Sequence, residues 1–244
     1  MRTIKLTIEY DGTNYAGWQI QPNGIAIQQV IEEALGKMLK EPVRIHSSGR
    51  TDAGVHAKGM VAAFRTGRSI PVKAFADGLN TLLPQDIAVR EAVEMQGEFN
   101  PRHDARGKHY RYTLYTGARR SPLRRLYAWH LRSQLDLVAM QRGAAHFIGE
   151  HDFAAFRTSG CAARTTVRRI DAVEISREGD IIHIDVTGSG FLRNMVRIMV
   201  GTLVNVGLGK CTDGTIPAIL AGVEGVSPGA TAPSKGLCLM EVMY

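Results

Sequence analysis

The sequence has only three cysteines and no long apolar segment. Cys161, Cys211 and Cys238 are odd in number and widely spaced, so they match neither a disulfide framework nor the paired spacing of a zinc site. No apolar run approaches the roughly 20 residues that cross a bilayer. The first ten residues alternate like a strand and lack the apolar segment of a signal peptide. We therefore expect a cytoplasmic protein with reduced thiols, no bound metal and no membrane contact.

Acidic residues are nearly missing from one region of the chain. Residues 101–132 contain nine Lys or Arg and one acid, Asp104, whereas residues 1–100 contain 11 residues of each sign. The same region carries interleaved aromatic residues: Tyr110, Tyr112, Tyr115, Tyr127 and Trp129. Cations and aromatic rings together favour an RNA partner, through phosphate neutralisation and base stacking. Composition alone also allows a solvated basic face that only aids solubility.

Two further absences limit the class of enzyme. The sequence contains neither a cluster of acids for Mg²⁺ nor a glycine-rich phosphate loop leading into a helix. An aspartyl-nucleophile phosphotransferase would require one of them. His46, His56 and His109 lack the spacing of a metal site, so we interpret them as structural residues or RNA contacts.

Hydrophobic periodicity predicts an α/β protein. Helices are expected at 27–40, 72–83, 135–147 and 191–206, and strands at 1–10, 43–48, 59–64, 87–93, 110–115, 167–176 and 180–187. A helix followed by two strands occurs in both halves, which suggests a duplication. The composition turns polar and basic between residues 98 and 106. We therefore predict an N-terminal half, 1–105, and a C-terminal half, 106–244.

One short stretch concentrates charge and glycine between two predicted strands. Glycines permit unusual backbone conformations and close approach of other groups, which suits a loop that presents a side chain at a cleft. One cation, Arg50, and one carboxylate, Asp52, lie between Gly49 and Gly54. The residues alone also allow Asp52 to cap a turn while Arg50 is solvated.

Arg197 lies in a predicted helix that is apolar on most sides. A buried guanidinium requires an anionic partner, since removing one member of a buried ion pair costs about 3–5 kcal/mol. The alternative is that the side chain extends to the surface beside Arg193.

Five blocks of this sequence resemble the tRNA pseudouridine synthase A (TruA) family, in the family's order and over essentially the full length. The blocks are Gly49-Arg50-Thr51-Asp52-Ala53-Gly54-Val55-His56, Tyr10-Asp11-Gly12-Thr13-Asn14-Tyr15-Ala16-Gly17-Trp18-Gln19, Lys108-His109-Tyr110-Arg111-Tyr112, Gly149-Glu150-His151-Asp152-Phe153 and Gly190-Phe191-Leu192-Arg193-Asn194-Met195-Val196-Arg197. Such a combination is far more specific than a lone glycine motif.

The resemblance implies both a fold and an activity. The fold is α/β (α+β), with two related halves, each an antiparallel or mixed sheet with helices on one face, flanking a central basic active-site cleft. The activity is isomerisation of uridine to pseudouridine at positions 38 to 40 of the tRNA anticodon stem-loop. The reaction requires no cofactor, and the family acts as a homodimer. The rival function is a non-catalytic RNA-binding or RNA-folding protein with the same basic surface.

Residue roles are also implied by the resemblance. Asp52 matches the catalytic carboxylate, which attacks C1′ or abstracts the C2′ proton, and Arg197 matches its ion partner. Tyr110 matches the tyrosine that stacks on the target base, although a strand tyrosine on a sheet face is its plain alternative. Arg50 matches the residue that fills the gap left by the flipped uridine. Departures from the family pattern are peripheral, such as Cys238 where a tyrosine is expected, and they put only fine RNA contacts in doubt.

Overall fold

A computed structural model describes residues 1–158, 160 and 163–244, so Cys161 lies outside the described residues. The chain divides into two compact units. Unit 1 comprises residues 1–106 and 238–244, and unit 2 comprises residues 107–237. Both contain strands and helices, which confirms the predicted α/β class. The units differ from the predicted halves at the end of the chain, because the last strand pairs with a strand of unit 1.

The elements follow one another along the chain as follows. They are β1 (Arg2–Tyr10), α1 (Ile27–Leu39), β2 (His46–Ser47), β3 (His56–Thr66), α2 (Val72–Leu82), β4 (Ile87–Met95), β5 (Gly107–Tyr115), β6 (Trp129–His130), α3 (Leu137–Ala145), β7 (Gly149–Asp152), β8 (Val167–Glu178), β9 (Ile181–Gly188), α4 (Met195–Gly207), α5 (Thr215–Leu220) and β10 (Leu237–Met243). Single 3-10 turns occur at Gly12–Asn14, Pro122–Arg124, Ala154–Phe156 and Ser234–Gly236.

In unit 1 the strands lie in the order β4, β1, β3, β10, and β2 pairs with β3. Pairing is antiparallel except between β3 and β10, which are parallel. Alternate residues of β1 are fully buried, as the period of a half-covered strand requires. Helix α1 buries residues at three- and four-residue intervals and ends at Lys40, which adopts a left-handed φ of 56° two residues before Pro42.

In unit 2 the strands lie in the order β5, β9, β8, β7, and β6 pairs in parallel with β5. Helix α4 is buried along most of its length. Gly201 of α4 allows the loop after α5 to approach the helix, since a Cβ on Gly201 would lie 1.8 Å from the carbonyl oxygen of Ala230. Among the residues that the structure describes, no helix has the length and apolar character needed to cross a membrane.

Two predicted elements begin three or more residues later than expected. The strand expected at 43–48 is reduced to His46–Ser47, because only these residues pair with β3. The helix expected from residue 191 begins at Met195, because Asn194 takes a left-handed φ of 61°. The Asn194 conformation ends the preceding loop. The helix then begins with the hydrogen bond from the Ile198 N–H to the Asn194 carbonyl oxygen.

Candidate active site

The loop at residues 48–55, here called the Asp52 loop, joins β2 to β3 in unit 1. A turn forms at its centre, where the Val55 N–H donates to the carbonyl oxygen of Asp52 at 3.1 Å. Gly54 supplies the positive φ of 75° that this turn requires. Asp52 is partly buried and Arg50 is exposed. Both residues predicted for this loop therefore lie on a defined turn.

A second segment, residues 10–18 and here called the cradle, contacts the Asp52 loop within unit 1. The hydroxyl groups of Tyr10 and Thr51 are 2.7 Å apart and buried. The Trp18 N–H donates to the carbonyl oxygen of Thr51 at 3.1 Å. The Tyr10 and Trp18 rings pack at 6.0 Å between centroids. The residue before Asp52 is thus bonded through both its side chain and its backbone.

Two glycines of the cradle lie directly against the Asp52 loop. A Cβ at Gly12 would lie 2.0 Å from the Val55 carbonyl oxygen, a separation that real atoms do not tolerate. A Cβ at Gly17, which has φ +99°, would lie 2.7 Å from the Thr51 carbonyl oxygen and 3.2 Å from the Ala53 nitrogen. Only glycine at these positions leaves room for the loop backbone.

His56, the first residue of β3, closes the other end of the loop. It is buried, and its Nδ1 accepts the Gly12 N–H at 3.1 Å. The same nitrogen lies 3.1 Å from Asp11 Oδ1. Nδ1 thus lies at the same distance from the Gly12 N–H and from the Asp11 carboxylate, which ties the start of β3 to the cradle. His56 therefore serves as a structural residue of the loop.

Tyr15 fixes the outer part of the cradle. Its hydroxyl donates to Asp86 Oδ1 at 2.6 Å. Burial, followed by this bond to a carboxylate, raises the pKa of Tyr15 above its ordinary value of 10.0. Tyr15 therefore remains protonated and bonded across the working pH range.

Arg197 lies in α4 of unit 2 and is partly buried. Its Nε donates to the Ala232 carbonyl oxygen at 2.7 Å, and its Nη1 donates to Asn194 Oδ1 at 2.7 Å. The Ala232 N–H returns a bond to the Arg197 carbonyl oxygen at 3.1 Å. The guanidinium is thus bonded inside unit 2, whereas Arg193 is exposed.

Tyr110 lies on β5 of unit 2, opposite Val186 of β9. It is 8% exposed. Its ring meets Phe191 edge to face, with centroids 5.1 Å apart and planes at 82°. This contact fixes the orientation of the ring.

A polar cluster lies on the alternate residues of β5 and β9. Asp185 Oδ1 is 2.6 Å from His109 Nε2 and accepts from Arg111 Nε at 2.9 Å. Burial, followed by the charge of Arg111, lowers the pKa of His183 below its ordinary value of 6.5. Asp185 and Glu178 oppose this shift, and Arg124 adds to it weakly.

The loop between β5 and β6, residues 116–128 and here called the basic loop, presents cations to solvent. Its exposed cations are Arg119, Arg120, Arg124 and Arg125. The guanidinium of Arg124 lies 6.0 Å from the centroid of the Tyr115 ring. Leu123 is 88% exposed and Tyr127 is 50% exposed beside them.

Within residues 1–158, 160 and 163–244, no group of three or more His, Cys, Asp or Glu side chains is placed to hold a metal ion. Cys211 and Cys238 form no disulfide in this part of the chain.

A model of one protein family, described as tRNA pseudouridine synthase, matches residues 6–104 and 144–244. The chain belongs to this family. The match includes both the cradle and the Asp52 loop, and it confirms the resemblance drawn from the sequence blocks. It also confirms the predicted class of enzyme, a tRNA-uridine isomerase.

Relatives of this tRNA pseudouridine synthase family member align with it from end to end. Proteins named tRNA pseudouridine synthase A from Geotalea uraniireducens, Geobacter sulfurreducens and Geotalea daltonii are 63%, 64% and 63% identical to it over 244 residues. Each alignment covers 100% of both chains. The chain is thus similar to these proteins over its whole length.

Sequence reasoning missed the role of the cradle in this synthase. The block from Tyr10 to Gln19 contributes to the family resemblance, but no sequence pattern shows that it contacts the Asp52 loop. The signal was present in Gly12 and Gly17, two glycines in a block with a buried tyrosine and tryptophan. Only the fold shows that these glycines face the Asp52 loop.

Proposed function

We propose that this chain isomerises uridine to pseudouridine in the tRNA anticodon stem-loop, at positions 38 to 40, with Asp52 as the catalytic carboxylate. The observation that carries the proposal is the fixed position of Asp52. Both its neighbours in the motif, Thr51 before it and the turn after it, are held by hydrogen bonds to the backbone or to buried side chains. A reacting group must be held in this way.

The reaction breaks the bond between C1′ and N1 of uridine, turns the base, and joins C1′ to C5. The hydrogen on C5 leaves as a proton and N1, freed from C1′, takes up a proton, so the step is an isomerisation without net oxidation or reduction. The Asp52 carboxylate either attacks C1′ or removes the C2′ proton. Both routes require an ionised carboxylate next to the ribose.

Three further residues have proposed roles. Arg197 is the ion partner of Asp52, and its bonds to Asn194 and Ala232 support this role because they hold the guanidinium in one orientation. Tyr110 stacks on the flipped base, which is worth about 1–3 kcal/mol, and its contact with Phe191 sets the plane of the ring. Arg50, which is exposed, fills the gap in the RNA stack.

The basic loop is the proposed tRNA contact. Its four exposed arginines favour phosphates, and the exposed Leu123 and Tyr127 offer apolar surface to a base or ribose. By resemblance to the family, we propose a cytoplasmic homodimer in which one tRNA contacts both subunits. Under this proposal, unit 1 carries the catalytic carboxylate, Asp52, and unit 2 carries the basic loop, Tyr110 and Arg197.

Release of tritium from uridine C5 tests the reaction directly, because joining C1′ to C5 expels that hydrogen. We expect release from anticodon stem-loop transcripts labelled at positions 38 to 40. Asp52→Asn should lower the rate at least about a thousandfold, as when a reacting group is lost, while the Kd for tRNA changes less than about tenfold. The matched control is Asp77→Asn, which removes an exposed carboxylate of α2 and should leave the rate unchanged.

The outcomes separate the two candidate functions. If wild type releases no tritium from any tRNA but binds it, the protein is an RNA-binding or RNA-folding protein. If Asp52→Asn releases tritium at the wild-type rate, the catalytic role of Asp52 is wrong. Tyr110→Phe keeps the ring and should keep tRNA binding, so a lower rate would assign its hydroxyl a proton-transfer or orienting role.

A further inference from the structure

We infer that Tyr10 and Thr51 form a positioning pair that fixes the Asp52 loop for catalysis. The inference rests on the proposed catalytic role of Asp52. Neither residue needs to contact the substrate: Thr51 is 7% exposed and Tyr10 is 3% exposed. Both residues act through the backbone that leads from Thr51 into Asp52.

Thr51 is held through both its side chain and its backbone. Its side chain is bonded to the Tyr10 hydroxyl at 2.7 Å, and its carbonyl oxygen accepts the Trp18 N–H at 3.1 Å. These bonds fix both the side chain and the peptide group that leads into Asp52. A rotation of that peptide would swing the Asp52 carboxylate, so the two bonds restrict where it points.

The constraint on Thr51 originates in the sheet of unit 1. Tyr10 is the last residue of β1, which pairs with β3 and β4 on its two sides. Its ring also packs against Trp18. The Tyr10 hydroxyl therefore belongs to a rigid sheet, and the Thr51 bond transfers that rigidity to the loop. A site supported by a sheet is positioned more accurately than one supported by a loop alone.

Packing supports the same arrangement. The Thr51 carbonyl oxygen lies in the space that Gly17 leaves open, since a Cβ on Gly17 would lie only 2.7 Å from that oxygen. The hydroxyl bond thus restrains the side chain of Thr51, and the glycine contact restrains its carbonyl group. Loss of the hydroxyl bond leaves only the backbone restraint.

The test is a set of near-isosteric variants assayed by tritium release at a temperature well below unfolding. Tyr10→Phe and Thr51→Val each remove one hydroxyl and should lower kcat at least about tenfold. KM and the Kd for tRNA should change less than about threefold, because neither residue binds RNA. Thr51→Ser keeps the hydroxyl and should retain kcat within about threefold of wild type.

The double variant gives the sharpest result. If the two hydroxyls act as one unit, Tyr10→Phe combined with Thr51→Val should lower kcat no further than the more damaging single change. The control is Thr202→Val, which removes another buried threonine hydroxyl, bonded to the Ile198 carbonyl oxygen at 2.8 Å in unit 2. It should lower thermal stability without changing kcat.

Two outcomes would overturn the inference. One is wild-type kcat in both single variants; the other is a loss of activity in Thr51→Ser as large as in Thr51→Val. The failure of the proposed function looks different, since then wild type is inactive or Asp52→Asn is active in the same assay. If Tyr10→Phe does not fold, the comparison of Thr51→Val with Thr51→Ser decides alone.

Discussion

The Asp52 loop and the basic loop present charged residues in opposite ways. In the Asp52 loop, each residue next to the carboxylate is fixed by the cradle, by a turn or by β3. In the basic loop, four arginines extend into solvent, and one of them, Arg125, bonds only a nearby backbone oxygen, that of Pro122 at 2.8 Å, among the contacts described.

The difference follows from what each loop does under the proposed function. A reacting group loses rate when it moves by a fraction of an ångström, so it requires a rigid support. A phosphate contact depends on charge at short range and tolerates many side-chain positions. Changes in the Asp52 loop should therefore alter kcat, and changes in the basic loop should alter affinity.

Among changes that leave Asp52 itself in place, the largest expected effect is that of Gly12→Ala. The new Cβ would meet the Val55 carbonyl oxygen at 2.0 Å, so the loop must move. We expect kcat to fall at least about a hundredfold and the free energy of unfolding to fall by about 1–3 kcal/mol. Gly67→Ala is the matched control in unit 1, because no atom lies within 4 Å of its added carbon. Equal kcat in the two variants would contradict close packing of the cradle.

The next effect is that of Arg197→Met. Loss of the bonds to Ala232 and Asn194 leaves a buried carbonyl without its charged donor, so the free energy of unfolding should fall by about 1–3 kcal/mol. Activity should fall as well, because Arg197 is the proposed partner of Asp52. Arg193→Met, at an exposed position one turn earlier, should change stability by less than about 0.5 kcal/mol. Chemical denaturation and tritium release measure both quantities, and wild-type activity in Arg197→Met would disprove the pairing.

The basic loop should affect binding and not chemistry. Replacing Arg119, Arg120, Arg124 and Arg125 by Ala should weaken tRNA binding and reduce the slope of log K against log salt by about 0.7–0.9 for each lost phosphate contact. At saturating tRNA, kcat should stay within a few-fold of wild type. The control removes four cations of unit 1: Arg44, Arg68, Lys73 and Arg90. An equal change of slope in the control would mean that net charge, and not this loop, governs binding.

The smallest effect concerns His183. Its pKa is lowered by burial and then by Arg111, so the unfolded chain binds a proton more readily than the folded one below the ordinary pKa of 6.5. The contribution of His183 to the free energy of unfolding is thus fully present above pH 6.5 and is lost as the pH falls below that value. His183→Gln should flatten the decline in stability between pH 7.5 and 5.5. Arg124→Ala should flatten this decline in stability less than His183→Gln does. A steeper decline in either variant would contradict the stated causes of the lowered pKa of His183.

The regular elements were largely predictable from the sequence. The helix at 27–40 is observed at Ile27–Leu39, and the pair at 167–176 and 180–187 is observed as β8 and β9. Their patterns repeat over several turns or residues, which makes them strong signals. Short elements were missed: β7 has four residues, and α5 has six and contains Pro217. Such segments are fixed by tertiary contacts and carry little periodicity of their own.

The site was predictable only in part. Charge and glycine marked Asp52 as a candidate, and the resemblance to the family supplied the proposed roles of Tyr110 and Arg197. The expectation that Arg197 requires an anionic partner rests on physical chemistry, whereas the acceptors found in unit 2, Ala232 and Asn194, are neutral and include a backbone oxygen that no sequence pattern reveals. The cradle was missed for the same reason. Where two backbones approach closely, the sequence shows only a glycine and not the segment that the glycine faces.

The path of the chain through unit 1 has a consequence for synthesis. Strand β10 follows all of unit 2, yet it pairs with the first residues of β3, with Cys238 opposite His56 and Leu239 opposite Ala57. On the ribosome, the basic loop therefore emerges long before the strand that borders the end of the Asp52 loop. Domains generally fold as their residues become available. A nascent chain therefore completes the framework around the Asp52 loop only when β10 has been made.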